Sequence, residues 1–215
     1  MIVIGESIHI ISKEVKAAVE NRDKAFIQNM AKQQITKGAG ILDLNIGPRK
    51  KDGVEVMTWI VQAVQEITDV PLSLDTTNPA AIEAGLKICP PKTVINSVNA
   101  DPERLKIIMP LAAKYDARVV ALALRATGLP VSSDERVEIV TEDLMPAAME
   151  YGVPFENILF DPLVMTVNGT QEHTHEVIKT TFIVKQLNDP PFSMTCGVSN
   201  ISNACPPENR PLLNR

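Results

Sequence analysis

Aromatic side chains are scarce in this chain: one Trp, two Tyr and five Phe among 215 residues. The core must therefore come from Ile, Leu, Val, Ala and Met, which fits a hydrophobic share of 45%. Basic runs are missing too. Lys and Arg number 21 against 26 Asp and Glu, for a net charge of −5, and no stretch interleaves bases with aromatics. That balance argues against nucleic acid and against an anionic membrane surface as partners. No apolar stretch reaches the ~18 residues that a membrane span needs. The opening MIVIGESIHI has no basic segment ahead of its apolar residues, so a signal peptide is not expected. Only three cysteines occur, Cys89, Cys196 and Cys205, with no CxxC pair. They read as reduced thiols of a cytoplasmic protein, not as a disulfide framework or a zinc site. A P-loop and a GxGxxG are absent as well, which leaves nucleotide folds little support.

What the chain does have is rhythm. Short β-branched runs recur: IVIG (2–5), GILDLN (40–45), VPLSLD (70–75), TVIN (93–96), ARVVALAL (117–124), NILFD (157–161) and FSMTCGVSN (192–200). Longer segments with apolar residues at three- and four-residue steps separate them, for example Phe26, Met30, Gln33 and Ile35, then Val56, Trp59, Ile60 and Ala63. These predict amphipathic helices facing a sheet. Asn78-Pro79 and Asp101-Pro102 each pair a capping side chain with proline at the first helical position. Strands alternating with helices imply parallel pairing, because a parallel crossover needs about a dozen residues or more. No linker or low-complexity tract interrupts the pattern, so residues 1–215 are expected to form a single domain.

The choice between a doubly wound sheet and a (β/α) barrel turns on where the polar residues fall. Each run except the fifth carries one at or near its end: Glu6, Asp43 with Asn45, Asp75, Asn96, Asp161 and Asn200. In a barrel, C-terminal strand ends converge on one mouth, where active sites sit. In an open sheet a ligand would use only those near a switch point. Six polar ends suit a ring around one small ligand with polar edges. Capping of neighbouring helices is the competing explanation for any single one of them. Asp75 is the most telling. A carboxylate in a half-buried mouth costs several kcal/mol unless something donates to it, and no Lys or Arg is near it in sequence. A ring presenting paired N–H donors, such as an aminopyrimidine, would satisfy it.

Five blocks carry a family resemblance: LDLNIGP (42–48), LDTTNPAAIEAGL (74–86), INSVNA (95–100), FDPL (160–163) and GVSNIS (197–202). In this order they resemble the pterin-binding barrels. More narrowly, they resemble the methyltetrahydrofolate:corrinoid protein methyltransferases, including those serving corrinoid/iron–sulfur proteins, and the folate domain of cobalamin-dependent methionine synthase. The resemblance implies a TIM (β/α)8-type barrel. Here it would be truncated after the seventh strand, with unpaired edges on the first and seventh strands that a homodimer could partly mask. It implies that Asp75, Asn96 and Asp161 hold the pterin ring, with Asp43, Asn45 and Glu6 shaping the same floor. Asn200 would lie near the methyl-bearing nitrogen as the catalytic residue. The substrates would be methyltetrahydrofolate or tetrahydrofolate and the cobalamin of a partner corrinoid protein, with no protein-bound metal and the direction of transfer open. Relatives carry Gly-Glu-Arg-x-Asn at the first strand, where this chain has Ser7 and His9. A condensing enzyme like dihydropteroate synthase is an alternative, but that enzyme has Ser-Arg-Lys where this chain reads Ser199-Asn200-Ile201, which counts against it. A non-catalytic pterin- or corrinoid-protein-binding module is another. The sequence offers no obvious general acid, His9 being the nearest candidate by position. Cys196 is expected to pack, and His173 with His175 are too poorly spaced to share a metal.

Overall fold

A computed structural model describes residues 1–214. Seven strands form one sheet whose spatial order is chain order: β1 (Ile4–His9), β2 (Ile41–Asn45), β3 (Leu72–Asp75), β4 (Val94–Asn99), β5 (Arg118–Leu122), β6 (Ile158–Asp161) and β7 (Ser193–Met194). The pairings β1–β2, β2–β3, β3–β4 and β6–β7 are parallel. An order that never reverses, with helical crossovers, is that of a (β/α)8-type barrel carried through its seventh strand; a doubly wound sheet would reverse at a switch point. No helix among the described residues is long and apolar enough to cross a membrane.

The crossovers are α1 (Lys13–Glu20) and α2 (Lys24–Thr36), α3 (Gly53–Gln65), α4 (Pro79–Leu86), α5 (Pro102–Lys114), α6 (Ser133–Glu138) continuing through a π-helical turn into α7 (Met145–Glu150), and α8 (Thr174–Lys185); a short α9 (Arg210–Leu213) follows β7. Both proline-marked starts are present. The Asn78 side chain accepts from the Ala80 and Ala81 N–H groups, and Asp101 accepts from Glu103 N–H at 3.0 Å.

The chain divides into two compact units, Met1–Ser97 with Leu111–Val119, and Val98–Pro110 with the residues from Val120 on. In the first, β2 is buried along Ile41–Leu44, and Leu42, Leu44, Leu74 and Ile95 lie beneath Met57, Ile60 and Ile82 of the helices. In the second, Phe192 packs edge-on against Phe155 (5.3 Å between centroids) and Phe160 (5.1 Å), beside buried Ile139, Leu144 and Val184. Three of the five Phe residues are thus spent in one cluster.

Several boundaries differ from the expected ones. Strand β1 runs to His9 rather than stopping at Gly5, and β4 runs on to Asn99, so Glu6 and Asn96 lie within strands and not at their ends. Strand β7 is only two residues long, and Asn200 sits in a 3-10 turn, Val198–Ser202. Helix α1 was not anticipated, although Ser12 caps it and Val15, Ala18 and Val19 give it an apolar stripe. The buried stripe of α2 is Ile27, Ala31 and Gln34, one residue on from the expected Phe26, Met30 and Gln33. Trp59 is not core: it is half-exposed under the Arg22 guanidinium, 5.1 Å from the ring centroid. The helical segment 133–150 contains the π-helical turn Ile139–Leu144 just before Pro146. Proline removes one helical N–H and crowds the carbonyl four residues back, and a wider turn relieves both.

Candidate functional site

Strand alternation puts Leu42 and Leu44 on one face of β2 and Asp43 and Asn45 on the other. Parallel register then does the work of assembly. Asn45 pairs with Asp75 and Asp75 with Asn96, while His9 of β1 pairs with Asn45. Adjacent strands lie about 4.8 Å apart. Four polar residues from four consecutive strands therefore form one row across the first unit, with Asp43 and Ser73 paired one layer below.

The row is cross-bonded. The Asn45 side-chain nitrogen donates to Asp75 Oδ2, while Asn45 Oδ1 accepts from the Gly47 N–H at 3.0 Å. Both ends of that amide are thus engaged, so Asn45 fixes Asp75. Asn96 Nδ2 donates to Asp43 Oδ1 at 3.1 Å. That leaves the Asn96 carbonyl oxygen as an acceptor beside the Asp75 carboxylate. The loops behind the row are tied together as well: Thr76 Oγ1 donates to Gly47 O (2.5 Å) and Asn78 Nδ2 to Arg49 O (2.8 Å). Gly47 has φ +63°, and a Cβ there would stand 2.7 Å from Ile10 Cδ1, so glycine suits this turn and a larger residue would be strained.

Asp43 is 3% exposed, and burial raises its pKa to about 6 against the opposing influence of the nearby Ser73 hydroxyl and the hydrogen bond from Asn96. Asp75 is pushed further, to about 7, first by burial and then by the negative charge of Asp43, with the Asn45 hydrogen bond pulling the other way. Glu6 adds to both rises. It is itself exposed, in a bulge where the β1–β2 register shifts between Gly5 and Ile8. The bulge leaves the Ser7 N–H without a strand partner, and Gln34 Oε1 takes it at 2.9 Å. Sequence reasoning missed Gln34. The correct phase of α2 would have flagged it, because a glutamine in a buried stripe needs a polar target. His9 Nδ1 accepts from the Ser12 N–H at 3.3 Å, which places the proton of a neutral ring on Nε2.

The other two expected residues belong to the second unit. Asp161 ends β6, and its Oδ1 accepts from the Leu163 N–H at 2.8 Å in a turn where Leu163 has φ +62°. Asn200 is exposed, with its Oδ1 accepting from Asn203 Nδ2 at 3.3 Å. Their loops are joined: Val167 N–H donates to Ile201 O (2.9 Å), Asn168 Nδ2 to Ala204 O (2.9 Å) and Thr166 Oγ1 to Asn203 O. Cys196 is exposed and not packed as expected. His173 and His175 each lie against the neighbouring glutamate, Glu172 at 3.7 Å and Glu176 at 2.7 Å, instead of sharing a ligand position.

A carboxylate beside an amide carbonyl is a two-acceptor edge, suited to a flat ring offering adjacent N–H donors. Among the described residues no cation pairs with Asp75, so donation from such a ring would be the main compensation for its burial.

Across its full length the chain is 29% identical to the methylcorrinoid:tetrahydrofolate methyltransferase of Eubacterium limosum, covering 79% of that protein. It is 32% identical to the methionine synthase of Mycobacterium tuberculosis and 30% identical to that of Mycobacterium leprae, again over all of this chain. It spans only 19% and 18% of those two longer proteins. Residues 12–210 match the family described as pterin binding enzyme, and with that match spanning nearly the whole chain, the protein belongs to the pterin binding enzyme family.

Proposed function

We propose that this protein binds a folate through its pterin ring and transfers a methyl group between the N5 of that folate and the cobalt of a corrinoid carried by a partner protein. The observation that carries the reading is the row Asn45–Asp75–Asn96, in register on three strands, with a half-buried carboxylate that has no cation paired to it among the described residues. Asp75 and the Asn96 carbonyl would accept from the amino and ring N–H groups of the pterin. Asp161 would grip the same ring, and Asp43 and Asn45 would hold Asn96 and Asp75 in place. The similarity to a methyltransferase acting between a methylcorrinoid and tetrahydrofolate points the same way.

The chemistry sets what Asn200 must do. When methyl leaves N5, the carbon–nitrogen bond breaks and its electron pair stays on nitrogen, which takes a proton from solvent to give the N5–H of tetrahydrofolate, while cobalt(I) gives two electrons to the methyl carbon and becomes methylcobalt(III). The nitrogen gains charge as the transition state is reached. A neutral amide donor there gives a hydrogen bond that strengthens with the charge, which is differential stabilisation. Cobalt enters as the co-substrate of the partner.

The test is to mix the protein with methyltetrahydrofolate and cob(I)alamin and follow the cobalt(I) absorbance, then to run methylcobalamin against tetrahydrofolate. Loss of cobalt(I) with stoichiometric tetrahydrofolate supports the proposal. Tetrahydrofolate binding without transfer in either direction would leave a binding module. Condensation of a pterin pyrophosphate with p-aminobenzoate would mean a synthase instead.

A further inference from the structure

Arg136, in α6, is 0% exposed and is the largest fully enclosed side chain among the described residues. Burying a guanidinium costs several kcal/mol unless its donors are satisfied. Here they are satisfied in an unusual way. Nε donates to Pro162 O at 2.7 Å, Nη1 to Val131 O at 3.1 Å and to Ser132 O at 3.0 Å, and Nη2 lies 3.5 Å from Met165 Sδ. The bonds go to backbone carbonyls and a thioether, with Glu176 and Glu135 near enough only to act through their charge. Met or Leu would fill such a space without the desolvation cost, so the fork of donors is the property being used.

That fork joins two loops that follow the C-terminal ends of strands, the one after β5 and the one after β6. Pro162 directly follows Asp161, inside the turn closed by Leu163 N–H on Asp161 Oδ1. We propose that Arg136 is a positioning residue for ligand binding: by holding the Pro162 carbonyl it sets the orientation of the Asp161 carboxylate. Glu176 braces the same corner, accepting from the Ser133 N–H at 2.5 Å. The assignment rests on the reading that Asp161 grips the pterin.

The experiment is a cycle of tetrahydrofolate binding by calorimetry on the intact chain: wild type, Asp161→Ala, Arg136→Met and the double variant, each checked for folding by circular dichroism. Loss of a charge-assisted hydrogen bond is worth about 1.5–3 kcal/mol, so Asp161→Ala should weaken binding roughly 10- to 150-fold. Arg136→Met should weaken it by at least about fivefold, and the double variant should be no weaker than Asp161→Ala within about twofold, because the arginine acts through the aspartate. A residue that merely stabilises the fold would give losses that multiply. Arg136→Lys keeps the charge but cannot span both loops, and should fall between wild type and Arg136→Met; it stands in if the methionine variant does not fold. Wild-type affinity in a folded Arg136 variant, multiplying losses, or failure of both variants to fold would overturn the assignment. If Asp161→Ala binds as well as wild type, the pterin-grip reading fails and takes this one with it.

Discussion

Replacing Asp75 with Asn should strengthen the fold while weakening ligand binding, and the size of the first effect follows from its surroundings. Its carboxyl is raised from the ordinary 3.8 to about 7, by burial first and by repulsion from Asp43 second. A rise of roughly three units, at 1.36 kcal/mol each, is on the order of 4 kcal/mol. The sign runs as follows with pH. Below 3.8 the group is protonated both folded and unfolded, and costs nothing. Between 3.8 and about 7 the unfolded chain ionises while the folded chain keeps its proton, so stability falls as pH rises; above 7 the loss is complete. Asn cannot ionise, and its side-chain oxygen can still accept from Asn45 Nδ2. Urea unfolding of both proteins at pH 4, 5.5 and 8 should therefore show a stability difference that grows in favour of Asp75→Asn by about 2–4 kcal/mol from the acid to the alkaline end. Calorimetry should show the variant binding tetrahydrofolate about 10- to 150-fold more weakly, since a charged acceptor has become neutral. A stability difference that stays flat with pH would refute the reasoning outright. It would mean that the carboxylate is already compensated in the folded chain and has no need of a ligand.

Asp43→Asn removes the negative charge behind Asp75, so the pH midpoint of tetrahydrofolate affinity should move acidward by up to about one unit; an unmoved midpoint would show that the two carboxylates do not interact. Asn200→Ala should hold tetrahydrofolate affinity within about tenfold while slowing methyl transfer by about 10²–10³, measured by single-turnover cobalt(I) decay, whereas equal losses in both would make Asn200 a binding residue only. Gly85 of α4 is buried, and a Cβ there would lie 2.7 Å from Leu74 Cδ1 and 3.1 Å from Met57 Cγ. Gly85→Ala should therefore cost about 1–3 kcal/mol in urea unfolding, instead of giving the gain of up to ~1 kcal/mol expected at an open helical site.

The succession of elements was readable because each run of Val, Ile and Leu is short and the segments between are long enough only for crossovers. Parallel pairing followed from that, whereas strands in chain order were expected from the polar residues at the strand ends and from the family resemblance. What escaped was phase and extent. The α2 stripe was displaced by one residue because Phe26 and Met30 outweigh Ala31 in any count of hydrophobic mass, although burial favours the smaller side chain there. Strand β1 looked complete at Gly5 because Glu6, Ser7 and His9 are polar, yet they stay in the strand through a bulge whose spare N–H is satisfied by Gln34. Strand β7 looked long because SMTCGVSN has no obvious breaker besides Gly197, but a 3-10 turn beginning at Val198 takes the chain out of the sheet.

The polar residues of the candidate row were legible while their arrangement was not, and the difference has a physical cause. Polarity at the end of an apolar run shows in the sequence because it contradicts the pattern around it, so Asp43, Asn45, Asp75 and Asn96 could all be named. Register between strands is written nowhere in the sequence; it is decided by how Leu42, Leu44, Leu74 and Ile95 pack under the helices. That packing places Asn45 level with Asp75 and Asp75 level with Asn96. A shift of one residue in β3 would turn Asp75 to the opposite face and bury it against Met57 and Ile82, at a cost the core could not bear. The hydrophobic layer thus enforces the polar row above it. The roles divide accordingly: Asn45 and Asp43 spend their hydrogen bonds within the protein, and Asp75 and the Asn96 carbonyl are the acceptors a donor-bearing ring would find.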